Sequence, residues 1–182
     1  DLSAENIGAL KAGFENLKKH TETISSFGLP FVVAINKFTS DSEKEVQALL
    51  ELCDQYNIPV ELTEVWEKGG QGGLALAKRV LCVLEKNEAD FSPLYKLSDT
   101  IEDKIRVIVQ KVYGGRDVEF SSKAKKQLLE YNEYGWGGLP VCMAKTQYSL
   151  SDDPSKLGRP KDFVVTVREL KPSIGAGFIV AL

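Results

Sequence analysis

Leu29-Pro30-Phe31-Val32-Val33-Ala34-Ile35 is followed at once by two polar residues, Asn36 and Lys37. The run is apolar without alternation and rich in β-branched side chains, which is typical of a parallel strand covered on both faces. Ligands of open parallel sheets bind beyond the carboxyl ends of the strands. This stretch therefore predicts both the fold class and the edge at which a site would lie.

The segments around the run predict an α/β fold. Apolar residues recur at helical spacing before it, again after Asp41 and a third time after Gly73. Ser3 is predicted to cap the first of these helices, and a residue of 39–41 the second. A second short strand is predicted over 60–65. The order helix, strand, helix, strand, helix indicates a parallel sheet with flanking helices. The third helix is expected to turn one apolar stripe inward: Leu74, Ala77, Val80, Leu81 and Leu84.

The sequence pattern changes in the second half of the chain. A helix is predicted to end at Gly114-Gly115, and a basic helix follows over 123–131. Apolar extended runs then come at 139–143, 163–167 and 178–180. We therefore predict one α/β domain over 1–114 and a smaller α+β region over 115–182.

Composition excludes several classes of protein. The net charge of -3 and the pI near 5.4 argue against binding to nucleic acid or to anionic lipid. No apolar run reaches the roughly 20 residues of a membrane helix. Cys53, Cys82 and Cys142 have no metal-ligand spacing and suit reduced thiols in the cytoplasm. The only histidine, His20, has no partner motif, so no catalytic or metal-binding residue is predicted.

Two aromatic residues are predicted to lie at the sheet edge. Phe38 follows the first strand, and Trp66 follows the second among charged residues. Such rings hold flat heterocycles by stacking, although a small cluster that seals the sheet end fits equally well. Asn36-Lys37 also begins like the guanine-binding N-K-x-D loop. Thr39 stands where that loop has its aspartate, which weakens this interpretation.

Two further stretches are candidates for lining a cleft. The glycine-rich turn that includes Gly69 and Gly70 precedes a helix, where backbone amides accept anions, but it matches no nucleotide-binding fingerprint. A tight turn without a ligand explains it as well. Lys145 and Thr146 open a polar stretch after an apolar strand, which is either a solvated loop or a functional one.

Six stretches, in order along the whole chain, resemble formate–tetrahydrofolate ligase. They are Val32–Phe38, Thr63–Trp66, Lys68–Gly73, Gly137–Leu150, Leu157–Pro160 and Gly175–Val180. The resemblance implies an enzyme built on a P-loop NTPase-like α/β domain. It also implies formylation of tetrahydrofolate at N10 in one-carbon metabolism, using formate, ATP and Mg²⁺ through formyl phosphate. Activation by monovalent cations and a homotetramer are implied for the full-length enzyme.

The resemblance assigns roles to individual residues. Phe38 and Trp66 correspond to the pair that sandwiches the folate pterin, and Leu62 to an apolar neighbour. Asn36, Gly69, Gly70, Lys145 and Thr146 are implied only as lining of the nucleotide or folate cleft.

The family's phosphate-binding loop, catalytic lysine and formyl-phosphate-binding arginine have no counterpart in these 182 residues. We therefore expect a C-terminal portion that forms one wall of the folate site, requires the remainder of the ligase and is inactive alone. Two other functions stay open. One is a non-catalytic module for subunit assembly, and the other is a GTPase-like nucleotide-binding piece.

Overall fold

The computed structural model describes residues 4–86, 88–144 and 150–182. The chain forms two compact units, Asp1–Ser92 and Pro93–Leu182. The helix Ile101–Ile108 packs against strands of the second unit, and the predicted domain change at 114 stays a prediction. The α/β class is confirmed, with small parallel and mixed sheets. The P-loop-like character of the first domain stays a prediction.

The first unit is a two-stranded parallel sheet with helices. Val33 lies opposite Val60 and Asn36 opposite Thr63 in the register of its strands. Its elements are α1 (Ile7–Ser26), β1 (Val33–Asn36), α2 (Glu43–Gln55), β2 (Val60–Thr63), α3 (Val65–Lys68), a 3₁₀ turn (Gly69–Gly73) and α4 (Leu74–Lys86).

Local signals explain where the first two helices begin and end. Asn6 caps α1 by accepting the Ala9 N–H, whereas the predicted cap, Ser3, lies outside the described residues. Gly28 ends this helix with a φ of 70°, and a Cβ there would lie 1.9 Å from the Asp90 carbonyl oxygen. The cap of α2 is Ser42, one residue beyond the predicted 39–41.

A small core joins α1, α2 and the sheet. Phe14, Cys53 and Ile58 are buried in it, and Val33 and Val60 pack against them. Ala34 and Asn36, on the opposite face of β1, are exposed. The prediction that β1 is covered on both faces is therefore wrong for the part of the chain that the structure describes.

Helix α4 also differs from its prediction. The stripe expected to face inward is exposed along most of its length. Leu76 and Val83 are the half-buried side chains instead, and Arg79 pairs with Glu61 of β2 at 2.9 Å. Helical periodicity identifies an apolar face but does not specify which neighbour covers it, and the helix packs on β2 through a different face.

The second unit contains two small sheets. Strand β3 (Asp117–Phe120) pairs in parallel with β5 (Val164–Val167). The other sheet has the order β4–β7–β6, with β4 (Val141–Met143) parallel and β6 (Leu170–Ser173) antiparallel to β7 (Phe178–Ala181). Its helices are α5 (Ile101–Ile108), extended by a π turn (Val109–Tyr113), and α6 (Ser122–Glu133). Short 3₁₀ turns follow at Trp136–Gly138 and Ile174–Ala176.

The core of this second unit contains a buried lysine. Lys104 is 0% exposed, among Ile101, Ile105 and Val109. Its ammonium donates to the carbonyl oxygens of Gly137 at 2.7 Å and Leu139 at 3.0 Å. Burial lowers the pKa of Lys104, and the charge of Asp99 partly opposes that shift. The lysine thus fixes the turn that leads into β4.

Tyr95 covers the outer edge of β4. Its hydroxyl accepts the Val141 N–H at 3.0 Å and donates to the Val141 carbonyl oxygen at 3.4 Å.

Among the described residues, none of the helices is long and apolar enough to span a membrane.

Candidate functional site

The carboxyl ends of β1 and β2 lie side by side, as the sequence predicts. Asn36 is opposite Thr63, and the Lys37 N–H donates to the Thr63 carbonyl oxygen at 3.0 Å. The ladder therefore continues one residue past β1. Because both strands run in the same direction, the residues that follow them, Phe38 and Trp66, emerge at one edge of the sheet.

The turn after β1 holds Phe38 by its backbone. The Phe38 N–H donates to Asp41 Oδ2 at 2.8 Å, and the Asp41 N–H donates to the Phe38 carbonyl oxygen at 3.1 Å. The two bonds close a four-residue turn whose ring side chain stays 46% exposed. Asp41 was not singled out from the sequence as a site residue, although aspartate is among the residues that favour turns.

Trp66 is held by a single helical turn, α3. The N–H groups of Glu67 and Lys68 both donate to the Glu64 carbonyl oxygen, at 3.1 and 2.8 Å. Trp66 is 66% exposed, which makes it one of the most exposed large apolar side chains of this unit. Trp66 is therefore a surface residue and not part of the core.

The two aromatic rings contact each other. The ring centroids of Phe38 and Trp66 are 6.4 Å apart, and their planes are inclined by 50°. The structure therefore brings together the two aromatic residues that the sequence predicts to lie at the sheet edge.

Charged side chains adjoin this pair in sequence and form ion pairs with one another. Lys37 forms an ion pair with Glu43, and Lys68 pairs with Glu64 at 2.6 Å. The hydrogen bond to Glu43 raises the pKa of Lys37, to which the charges of Glu64 and Glu67 add. The hydrogen bond from Lys68 lowers the pKa of Glu64. Because the pKa of Lys68 is raised as well, both ammonium groups and the Glu64 carboxylate stay charged at neutral pH.

The glycine-rich turn seals the second strand end. The Glu64 N–H donates to the Gly72 carbonyl oxygen at 3.1 Å. A Cβ at Gly72 would lie 2.4 Å from the Glu64 carbonyl oxygen, so only glycine allows this approach. Gly69 has a φ of 58°, and a Cβ added to it or to Gly70 would meet no heavy atom within 4 Å. Gly72, which the sequence does not distinguish, therefore has the closest backbone approach of the three, whereas Gly69 is constrained only by its positive φ.

The last residues of β2 have different surroundings. Leu62 is half-buried and lies opposite Ile35. Thr63 is buried, and its hydroxyl has no hydrogen-bond partner among the residues that the structure describes. Such a group was not foreseen from the sequence, because a threonine at a strand end is ordinary.

The remaining predicted site residues are Lys145 and Thr146, which lie outside the described residues. Within the described ranges, no group of three or more His, Cys, Asp or Glu side chains could hold a metal ion.

Comparison with protein families gives one finding. The family model described as formate–tetrahydrofolate ligase matches residues 1–182, the whole of this chain.

Proposed function

This chain belongs to the formate–tetrahydrofolate ligase family, and from that premise we propose that it forms the pterin-binding wall of such an enzyme. The observation that carries the proposal is the exposed aromatic pair, Phe38 and Trp66, at the ends of two adjacent parallel strands. A pterin is flat and apolar on its faces and polar on its edge. Aromatic rings flanked by charged groups suit both features.

The remaining residues have subordinate roles in the proposal. Leu62 supplies apolar contact, and Asn36, Gly69 and Gly70 line the cleft. Lys145 and Thr146 are proposed as further lining residues by family resemblance. Glu64 and Glu67 are suited to accept from the N–H groups of the pterin edge, while Lys37 and Lys68 are suited to its oxygen and to tail carboxylates.

The proposed reaction of the whole enzyme joins formate to N10 of tetrahydrofolate, with ATP consumed through formyl phosphate. Mg²⁺, monovalent cations, a tetramer and a cytoplasmic location belong to the same proposal. The described residues contain no group of three or more His, Cys, Asp or Glu side chains that could hold a metal ion, and no metal ligand is assigned to them. We therefore expect phosphoryl transfer to depend on other parts of the enzyme and the 182-residue chain alone to be inactive.

A binding experiment with the purified chain tests the pterin site. Titration calorimetry with tetrahydrofolate should give saturable binding, and a tail-less tetrahydropterin should bind at the same site more weakly. Trp66→Ala should weaken both, whereas Phe91→Ala, which removes a similarly exposed ring from the same unit, should leave both unchanged. Equal binding by the wild-type chain and by Trp66→Ala would refute this location of the site.

Catalysis is tested separately. The purified chain, supplied with formate, ATP, Mg²⁺ and tetrahydrofolate, should form no 10-formyltetrahydrofolate above the rate without protein. Measurable turnover that is lost on heat denaturation would refute the expected inactivity.

The guanine-binding alternative gains no support from the geometry. The first aspartate after the Asn36-Lys37 turn is Asp41, and its carboxylate accepts the Phe38 N–H. GTP should therefore give no heat of binding in the same calorimeter.

Assembly is a second candidate function, favoured by the exposed stripe of α4. Leu81 and Leu84 are 57% and 66% exposed, and Leu74 lies on the same face. Sedimentation velocity should show concentration-dependent association of the chain that Leu81→Lys with Leu84→Lys abolishes. A chain that stays monomeric at high concentration would contradict this role.

A further inference from the structure

The geometry of the aromatic pair leaves no room for a ring between its members. A flat ring held between two others needs parallel planes about 3.5 Å from it on each side, hence roughly 7 Å between the outer centroids. Phe38 and Trp66 are 6.4 Å apart at an inclination of 50°. The two rings contact each other and form no slot of parallel walls.

The backbone under each ring is fixed. Phe38 exchanges two hydrogen bonds with Asp41, which closes its turn. Trp66 sits in α3, whose first residue follows Glu64. The Glu64 N–H is tied to Gly72, and the tight contact between those two backbones leaves little freedom for displacement. The side chains, in contrast, are both exposed and are therefore free to change rotamer.

We infer that Phe38 and Trp66 form an aromatic gate that closes on itself when the site is empty and opens by side-chain rotation when a pterin enters. This inference rests on the proposed function and specifies how that site works. The closed pair covers part of each ring from water. Opening exchanges the contact between the two rings for contacts with the ligand, while the turn and α3 keep their positions.

Nuclear Overhauser effects between ring protons test the gate directly. With Phe and Trp selectively labelled, the chain without ligand should show cross-peaks between Phe38 and Trp66. Saturation with tetrahydrofolate should remove them and replace them with cross-peaks from each ring to the ligand. The internal control is the Phe27–Phe91 stack in the same unit, at 6.1 Å and 6°, whose cross-peaks should persist in both states.

Substitutions of Phe38 and Phe91 test whether the Trp66 ring contacts the Phe38 ring in the ligand-free chain. Phe38→Leu should shift the Trp66 ring resonances of the ligand-free chain, Phe38→Tyr should retain most of their positions, and Phe91→Leu should leave them unmoved. Calorimetry on the same samples separates the possible failures. Ring cross-peaks that persist at demonstrated saturation, or that are absent from the empty chain, would overturn the gate while leaving the pterin site intact. Absence of any heat of binding would overturn the proposed function and the gate together.

Discussion

Asp41 and Phe38 are joined by two hydrogen bonds, in which the Asp41 carboxylate accepts the Phe38 N–H at 2.8 Å and the Phe38 carbonyl accepts the Asp41 N–H at 3.1 Å. The carboxylate therefore acts on the backbone. Its effect on the site is indirect, because it fixes the point from which the Phe38 ring projects.

Asp41→Ala should loosen this turn. We expect the free energy of unfolding to fall by about 1 kcal/mol, the usual value of one such hydrogen bond, and tetrahydrofolate binding to weaken several-fold. Asp41→Asn retains an acceptor oxygen and should restore both. Urea unfolding and calorimetry measure the two effects. Asp54→Ala, which removes an exposed carboxylate from α2, is the matched control. Equal losses in Asp41→Asn and Asp41→Ala would show that charge, not the hydrogen bond, matters.

Trp66→Ala should affect binding far more than stability. Stacking of a base on an aromatic side chain is worth about 1–3 kcal/mol, so the Kd for tetrahydrofolate should rise by roughly 5- to 150-fold. The side chain is 66% exposed, and the free energy of unfolding should change by less than about 0.5 kcal/mol. Calorimetry and urea unfolding of the same preparation check both values. A large loss of stability would mean that Trp66 seals the sheet end instead.

Gly72→Ala should destabilise the first unit. The new Cβ would meet the Glu64 carbonyl oxygen at 2.4 Å, and the backbone shift that relieves this contact should cost about 1–3 kcal/mol. Gly70→Ala is the matched control, because its Cβ would meet no heavy atom within 4 Å and its φ is not positive. That variant should be neutral or more stable by up to about 1 kcal/mol. Chemical denaturation of the pair measures the difference, and equal stability of the two variants would refute the close approach at Gly72.

Lys104 should give the second unit a distinctive alkaline pH dependence. Its pKa in the folded chain is lowered below 10.5 by burial, so the folded state releases this proton before the unfolded state does. Between the two pKa values the unfolded chain binds more protons, and the contribution of Lys104 to stability therefore rises with pH up to about 10.5. Urea unfolding of wild type and Lys104→Met, compared from about pH 8 to 10.5, isolates this contribution. A wild-type curve that falls relative to the variant over this range would contradict the direction.

Much of the site edge was predictable from sequence. The apolar run ending at Ile35 and the parallel sheet rule together bring Phe38 and Trp66 to one edge, where the structure has them. The roles of Asp41 and Gly72 were not predicted, because they depend on distances of closest approach between atoms of the turns. Such distances follow from the folded geometry and not from residue type.

Prediction of the fold from sequence was limited in the same way. Helical spacing correctly predicts α4. The apolar stripe that was predicted to face inward, which includes Leu81 and Leu84, is exposed. Periodicity describes a helix by itself, whereas burial depends on what lies beside it. Strands β3 and β6 were not predicted because each is short, and β6 contains Lys171 and Pro172, which are uncommon in strands. Lys104 was likewise unexpected, since lysine is rarely buried without an acidic partner.

The hydroxyl of Tyr95 occupies both backbone groups of Val141 that face away from β7. A single phenol thereby replaces a neighbouring strand, for one residue, at the border of the sheet. Unpaired edge strands are sites at which another chain can pair and start aggregation. Tyr95 occupies that border at Val141, so a residue from an irregular segment takes the backbone groups with which an added strand would pair there.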